Sequence, residues 1–439
     1  MRLHWFSPLP PDRTDIGHYT ARLLPALARC AQVTVWTATP EPDPRLSAHA
    51  AIRRLGRSPA DRGELSRGDA ILYNLGNHGP FHARILAEAL AFPGIVVCHE
   101  ADLHHLLAWY HVEFRRRPED YVAALREAWG RDGERVARLR LAGADVGAEL
   151  TRMPLLAPAL RGCHGVVCHT EATFAAARAL GHPALRLDLP YPAGPRRHRG
   201  KRTGPLRIVQ FGHLGPNRRT LEILDAIARF SRQAELRFDI LGELWDERPV
   251  RAKVEQHRLG GIVRLHGFVS EERLDQALAE ADLVLNLRFP TIGEASGSQL
   301  RSWNAAVPSA VSDIGWFAGL PDDVVVKVPP GEEAERLHRL FALLLRDREA
   351  LDGLGERGRA LLEERHGPEA YARELVAACG EAGCLRRRAG CLAAMEALRA
   401  SLQALPGGLG AVALRLGAAD RFASALAGAG PDRSEGEGC

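Results

Sequence analysis

The most informative features at first reading are the missing ones. No apolar run of 18 or more residues occurs in the 439-residue chain, so no membrane-spanning helix is expected. The opening residues, Met1 to Trp5, have no long apolar stretch of the kind a secretory leader needs. Excess charge is also scarce: 58 basic against 54 acidic side chains leaves +4, which gives no reason to expect nucleic acid as a partner. The eight cysteines (30, 98, 163, 168, 379, 384, 391 and 439) form no regular framework. Cys163 and Cys168 flank a β-like run and Cys98 ends another, so they read as small core residues of a reducing compartment. A cytoplasmic protein is expected.

With 46% hydrophobic and 26% charged residues the chain has an ordinary globular balance, and its length suits two domains. Apolar runs at 2–7, 32–37, 70–75, 94–99, 165–168 and 185–189 alternate with helical spacing at 16–29, 81–91, 103–112, 121–138 and 171–180. Such alternation predicts a parallel sheet with helices on both faces. A Pro-, Gly- and Arg-rich run at 190–205 breaks the pattern and reads as a linker. Its basic cluster, 196–202, reads first as a solvated linker, with peripheral contact to anionic membrane lipid or contact to nucleic acid as the alternatives. The alternation restarts with strands at 206–211, 236–241, 262–266, 283–287, 309–312 and 324–328, with helices between them. Further helices are expected at 331–344, 347–365, 368–379 and 384–405, ahead of a low-complexity tail. The chain therefore divides into a first α/β domain (1–190), a linker (191–205), a second α/β domain (206–379) and a helical extension (380–439). In doubly wound sheets, ligands bind outside the carboxyl ends of the strands. Two such edges facing each other would form a cleft.

Four loops stand at those edges. Residues 288–301 run from a strand through a glycine-containing loop into a helix whose first N–H groups are free for a phosphate. Gly293 and Gly297 allow close backbone approach, Ser298 suits a helix cap, and Glu294 can accept hydrogen bonds from sugar or ribose hydroxyls. Residues 211–219 place Gly212, His213, Arg218 and Arg219 after the second domain's first strand, where cations suit a diphosphate. This turn is neither a dinucleotide-binding G-x-G-x-x-G nor a P-loop. His99 and Glu100 end a buried strand, followed by His104 and His105, whose spacing matches no zinc signature. Gly17 follows the Pro-rich turn 8–15 at the start of the first helix.

In this order, the four segments resemble the retaining GT-B glycosyltransferases of family 4 over roughly residues 1–375. The likeness includes Tyr73 to Asn77, Leu103 to Leu106, Gly212 to Arg219 and, most specifically, Pro290 to Ser298. The resemblance implies two facing Rossmann-like domains, a UDP- or GDP-sugar donor, an unidentified acceptor, and no metal or organic cofactor. It puts Glu294 at the donor sugar, Arg218 and Arg219 at the diphosphate, and His99 opposite the reacting sugar. Gly17 falls in the loop that closes over the diphosphate. The chain departs from the family where a second glutamate should grip the ribose. That position is Ser302 or Arg301, depending on alignment. Such a gap also fits a non-catalytic GT-B protein that binds a nucleotide sugar or a partner enzyme, and a sugar-nucleotide epimerase is a third reading. A pyridoxal-phosphate phosphorylase is not expected, because the second domain's donor motifs hold no lysine.

Overall fold

The computed structural model describes residues 1–56, 60–196, 202–381 and 395. The first sheet contains β1 (Arg2–Phe6), β2 (Gln32–Thr37), β3 (Ala51–Arg54), β4 (Ala70–Leu75), β5 (Ile95–Cys98), β6 (Gly165–Cys168) and β7 (Ala184–Arg186). They lie in the order β3-β2-β1-β4-β5-β6-β7, and each adjacent pair is parallel. The second sheet contains β8 (Leu206–Phe211), β9 (Leu236–Leu241), β10 (Val263–Gly267), β11 (Leu283–Asn286), β12 (Ser309–Ser312) and β13 (Val326–Val328). Its order is β10-β9-β8-β11-β12-β13, again all parallel. Residues Met1–Leu385, which hold both sheets, form one compact unit.

The buried runs of β4, β5 and β11 follow from this topology, since a parallel sheet is covered on both faces. Successive side chains feed opposite cores. Trp5 packs with Leu23, Leu24 and Leu27 on one face, whereas Phe6 joins Tyr73 and Leu86 on the other. In the second sheet Ile208 and Val209 divide in the same way. Strand β3 was not expected from sequence, because Ala-Ile-Arg-Arg at an exposed sheet edge shows almost no apolar alternation.

One helix belongs elsewhere than the sequence order suggests. Helix Pro368–Gly380, expected with the second sheet, packs on helix Asp15–Cys30 of the first. Its Tyr371, Ala372, Leu375 and Cys379 complete the core around Leu23 and Leu24, and the hydroxyls of Tyr19 and Tyr371 lie 2.8 Å apart. Periodicity shows that a helix has an apolar face but does not say which partner covers it.

The described residues of the linker are held against the second domain. Tyr191 N donates to His366 O at 2.8 Å, and Gly194 N to Asn304 Oδ1 at 2.8 Å. Arg196 pairs with Glu363 at 2.7 Å, and Arg202 with Asp352 at 2.6 Å. These two ends of the basic run are thus bound to carboxylates of the protein, while residues 197–201 lie outside the described residues. The helix expected at 384–405 also lies outside them, except for Met395. Cys30, Cys98, Cys163, Cys168 and Cys379 are free thiols, four of them buried. Among the described residues, no helix is long and apolar enough to cross a membrane.

Candidate functional site

Each sheet has a point where the chain leaves one side and resumes on the other. In the second sheet that point lies between β8 and β11, and in the first between β1 and β4. Loops diverge there and leave a crevice at the carboxyl edge. Both crevices open into one cavity of about 260 Å³. From the first domain it is lined by Asp15, His18, Tyr19, His99, Glu100 and His169. From the second it is lined by Gly212, His213, Arg288, Glu294, Gly297 and Ser298, among others.

Strand β11 delivers the loop to helix Gly297–Asn304. Ser296 caps this helix, its Oγ accepting from Gln299 N at 3.2 Å. The expectation that Ser298 serves as the cap is therefore corrected by two residues. Ser298 sits inside the first turn, its Oγ 3.2 Å from where a side chain on Gly212 would begin. Gly212 has φ +107, so a β-carbon there would meet both backbone strain and the serine hydroxyl. The cap takes the Gln299 N–H, and the N–H groups of Gly297 and Ser298, both on the cavity lining, have no acceptor within the helix.

Glu294 is held on three sides. Arg288 pairs with Oε1, while Thr291 Oγ1 and Ile292 N each donate to Oε2 at 2.8 Å. Burial raises its pKa, but Arg288 and the hydrogen bonds outweigh burial and keep the carboxyl below its ordinary range. Glu100 is in the opposite state. Enclosure between the domains, with Glu294 close by, lifts its carboxyl to about 8, and the Asn77 N–H bond only partly compensates. Two neighbouring carboxyls thus share a cleft, one ionised and one protonated at neutral pH.

The linkage sign for Glu100 is definite. Its folded pKa lies above the ordinary value, so between those pH values the native state keeps a proton that the unfolded chain releases. Stability from this group is present at acid pH and is lost as pH rises toward 8. Glu100→Gln is expected to remove that loss. Melting curves at about pH 5.5 and about pH 8 should show a smaller drop than wild type, with the variant more stable at the higher pH. An unchanged drop would show that Glu100 does not carry the proton.

His99 stands across the cleft. Asn74 Nδ2 donates to Phe6 O at 3.0 Å, which leaves Asn74 Oδ1 to accept from His99 Nε2 at 3.2 Å. That bond assigns the proton to Nε2 and leaves Nδ1 as an acceptor. Burial and the neighbouring His169 hold the imidazole neutral, well below its usual pKa. His104 is a satisfied core residue, bonded to Tyr121 Oη at 2.7 Å and Met153 O at 3.1 Å.

Other expected residues lie beside the cavity rather than on its wall. Arg218 is buried between β8 and β11. Its Nη2 donates to Phe211 O at 3.1 Å and Asn286 Oδ1 at 3.0 Å, while Nε has no partner among the described residues. Burial and the nearby Arg288 press its pKa down to about 9. Arg219 turns to Glu333 and Glu222, at 2.7 and 2.8 Å. Gly293 is an interdomain contact. Its carbonyl accepts from Thr170 and Thr173 at 2.7 and 3.1 Å, and a β-carbon on it would stand 2.6 Å from Ala101 Cβ. Gly17 packs against Thr14 and Leu9, while its neighbours Ile16 and His18 reach the cavity.

Sequence reasoning missed Arg288, His169 and the Thr170/Thr173 pair. Arg288 is the first residue of the 288–301 segment but was given no role there, and a search for a counter-charge to Glu294 would have found it. The threonines gave no signal, because nothing in sequence relates residue 170 to residue 293. Among the described residues, no group of three His, Cys, Asp or Glu side chains is placed to hold a metal ion.

Two Rossmann-like parallel-sheet domains whose carboxyl edges enclose one cleft define the GT-B fold. Within it, residues 195–361 match the family model described as glycosyl transferases group 1. Similar folds include Anabaena HepE, solved with UDP-glucose, at TM-score 0.53 and 14% identity over 86% of this chain and 100% of that one. WaaG, a glycosyltransferase involved in lipopolysaccharide biosynthesis, gives 0.54 and 13% over 85% and 98%. Sucrose-phosphate synthase from Thermosynechococcus elongatus gives 0.53 and 16% over 86% and 100%. No curated protein sequence matches the chain.

Proposed function

We propose that this protein is a retaining, metal-independent glycosyltransferase that moves a sugar from a nucleoside-diphosphate sugar to an acceptor in the cytoplasm. One observation carries the reading. Glu294, the first turn of helix Gly297–Asn304 and His99 line a single interdomain cavity, with Arg288 beside them. The group 1 match over the second domain supports the same reaction class.

The chemistry follows from the charges. Breaking the anomeric bond releases a nucleoside diphosphate, and its growing negative charge is stabilised by Arg288 and the helix N–H groups on the cavity wall, with the buried Arg218 adding positive potential from behind it. With that charge met by fixed cations, no acid is needed to protonate the leaving oxygen, unlike in glycosidases. Glu294 and His99 Nδ1 accept hydrogen bonds from sugar hydroxyls and hold the ring in place. The leaving phosphate takes the acceptor's proton, and attack on the same face retains the configuration. The closed interdomain contact at Gly293 limits water and so suppresses hydrolysis.

Thermal shift with UDP-, GDP- and ADP-sugars tests the reading, since a ligand bound only by the folded state raises the melting temperature. One donor should raise it and then release its nucleoside diphosphate faster when an acceptor is supplied. No shift with any donor would rule the proposal out. Binding without release in any acceptor mixture would favour a non-catalytic binding protein.

A further inference from the structure

The inference rests on the reading above and concerns how the cleft recognises the nucleotide. Arg301 lies four residues beyond Gly297 and three beyond Ser298, on the same helix face and about 6 Å further along the axis. It is 7% exposed yet lines the cavity. Its guanidinium crosses to the start of helix Glu271–Glu280. Nη1 donates to Glu271 Oε2 at 2.6 Å, and Nη2 to the Glu271 carbonyl at 3.2 Å and to Asp275 Oδ1 at 2.7 Å. Arg301 Nε, also buried, has no partner among the described residues. From the first domain, Arg22 stands 3.8 Å from the same Glu271 oxygen.

Glu271 itself lines the cavity, and its side chain is 56% exposed. Both cations hold Oε2, so Oε1 has no protein partner among the described residues. Phe268, Val269 and Leu274 give the same lining an apolar part. The wall therefore offers helix N–H groups, a fixed carboxylate and an apolar face. A nucleoside diphosphate offers the complementary set: an anion, two adjacent ribose hydroxyls and a flat base. A carboxylate only accepts hydrogen bonds and can take two neighbouring donors.

We infer that Glu271, positioned by Arg301, accepts the ribose hydroxyls of the nucleotide, so that the site selects ribonucleotides over their 2′-deoxy forms. Where the resemblance implies an acid on the helix, this helix carries a cation that draws in the acid from the next helix. The charge order is exchanged while a carboxylate is kept in the cleft.

Calorimetric titration of the full chain with UDP and 2′-deoxy-UDP, and with the GDP and ADP pairs, tests this. With the base that binds best, wild type should prefer the ribose form by roughly ten- to hundredfold, the range of the one charge-assisted hydrogen bond that the 2′-hydroxyl donates. Glu271→Gln and Glu271→Asp should bring that preference close to parity, and Arg301→Met should reduce it through loss of positioning. A Glu271→Gln protein with the wild-type ratio overturns the inference. So does wild type that binds both forms equally, which leaves the proposed function standing. Wild type that binds no nucleotide removes the proposed function, and this inference with it.

Discussion

Arg218→Met is expected to lower donor turnover by roughly 100- to 1000-fold, the scale of one lost stabilising group at a developing oxyanion. Arg218 is 4% exposed, and among the described residues its Nη2 is engaged by Phe211 O and Asn286 Oδ1 while its Nε has no partner. A buried guanidinium with an unpartnered Nε, pressed down by Arg288, is costly unless an anion arrives. Methionine fills similar space. It loses two hydrogen bonds but also removes a desolvated charge, so the melting temperature should move by only a few degrees. Release of nucleoside diphosphate measures the first effect and calorimetry the second. Near-normal release would show that Arg218 only braces β8 against β11.

Glu294→Ala is expected to reduce turnover by about 100-fold or more, while the donor's nucleoside diphosphate without the sugar binds within about threefold of wild type. The asymmetry follows from position. Glu294 belongs to the loop ahead of the helix, whereas the N–H groups proposed to bind the phosphate belong to the helix itself. The substitution also removes the charge that helps to raise Glu100 and leaves Arg288 without its partner. The pH dependence attributed to Glu100 should therefore weaken in Glu294→Ala. Equal losses for the free nucleoside diphosphate and for the donor sugar would place Glu294 at the nucleotide and contradict its assignment to the sugar.

The two sheets were legible because parallel strands buried on both faces appear as short apolar runs separated by helical spacing, as in Ala70–Leu75 and Leu206–Phe211. The cleft was legible because Glu294, Gly297 and His99 follow strand ends, and topology sends strand ends to the ligand edge. Side-chain direction was not legible. Arg218 and Arg219 are adjacent in sequence, but the left-handed backbone of Arg219, φ 58, turns the second toward Glu333. The cap moved from Ser298 to Ser296 for a similar reason, because a capping serine is defined by its extended backbone as well as by its hydroxyl. Contacts between distant segments, such as Thr170 with Gly293, depend on docking that no local pattern encodes.

The return of helix Pro368–Gly380 to the first domain affects any attempt to exchange donor specificity by recombination. A cut just after the second sheet would strip Tyr371, Ala372 and Leu375 from beneath helix Asp15–Cys30 and expose that hydrophobic seam. The transplantable cassette is instead an internal one, from about residue 206 to about residue 365, inserted between an amino-terminal body and its own carboxyl-terminal clasp. A chimera that keeps Tyr371 with Tyr19 should remain soluble where a simple head-to-tail fusion precipitates.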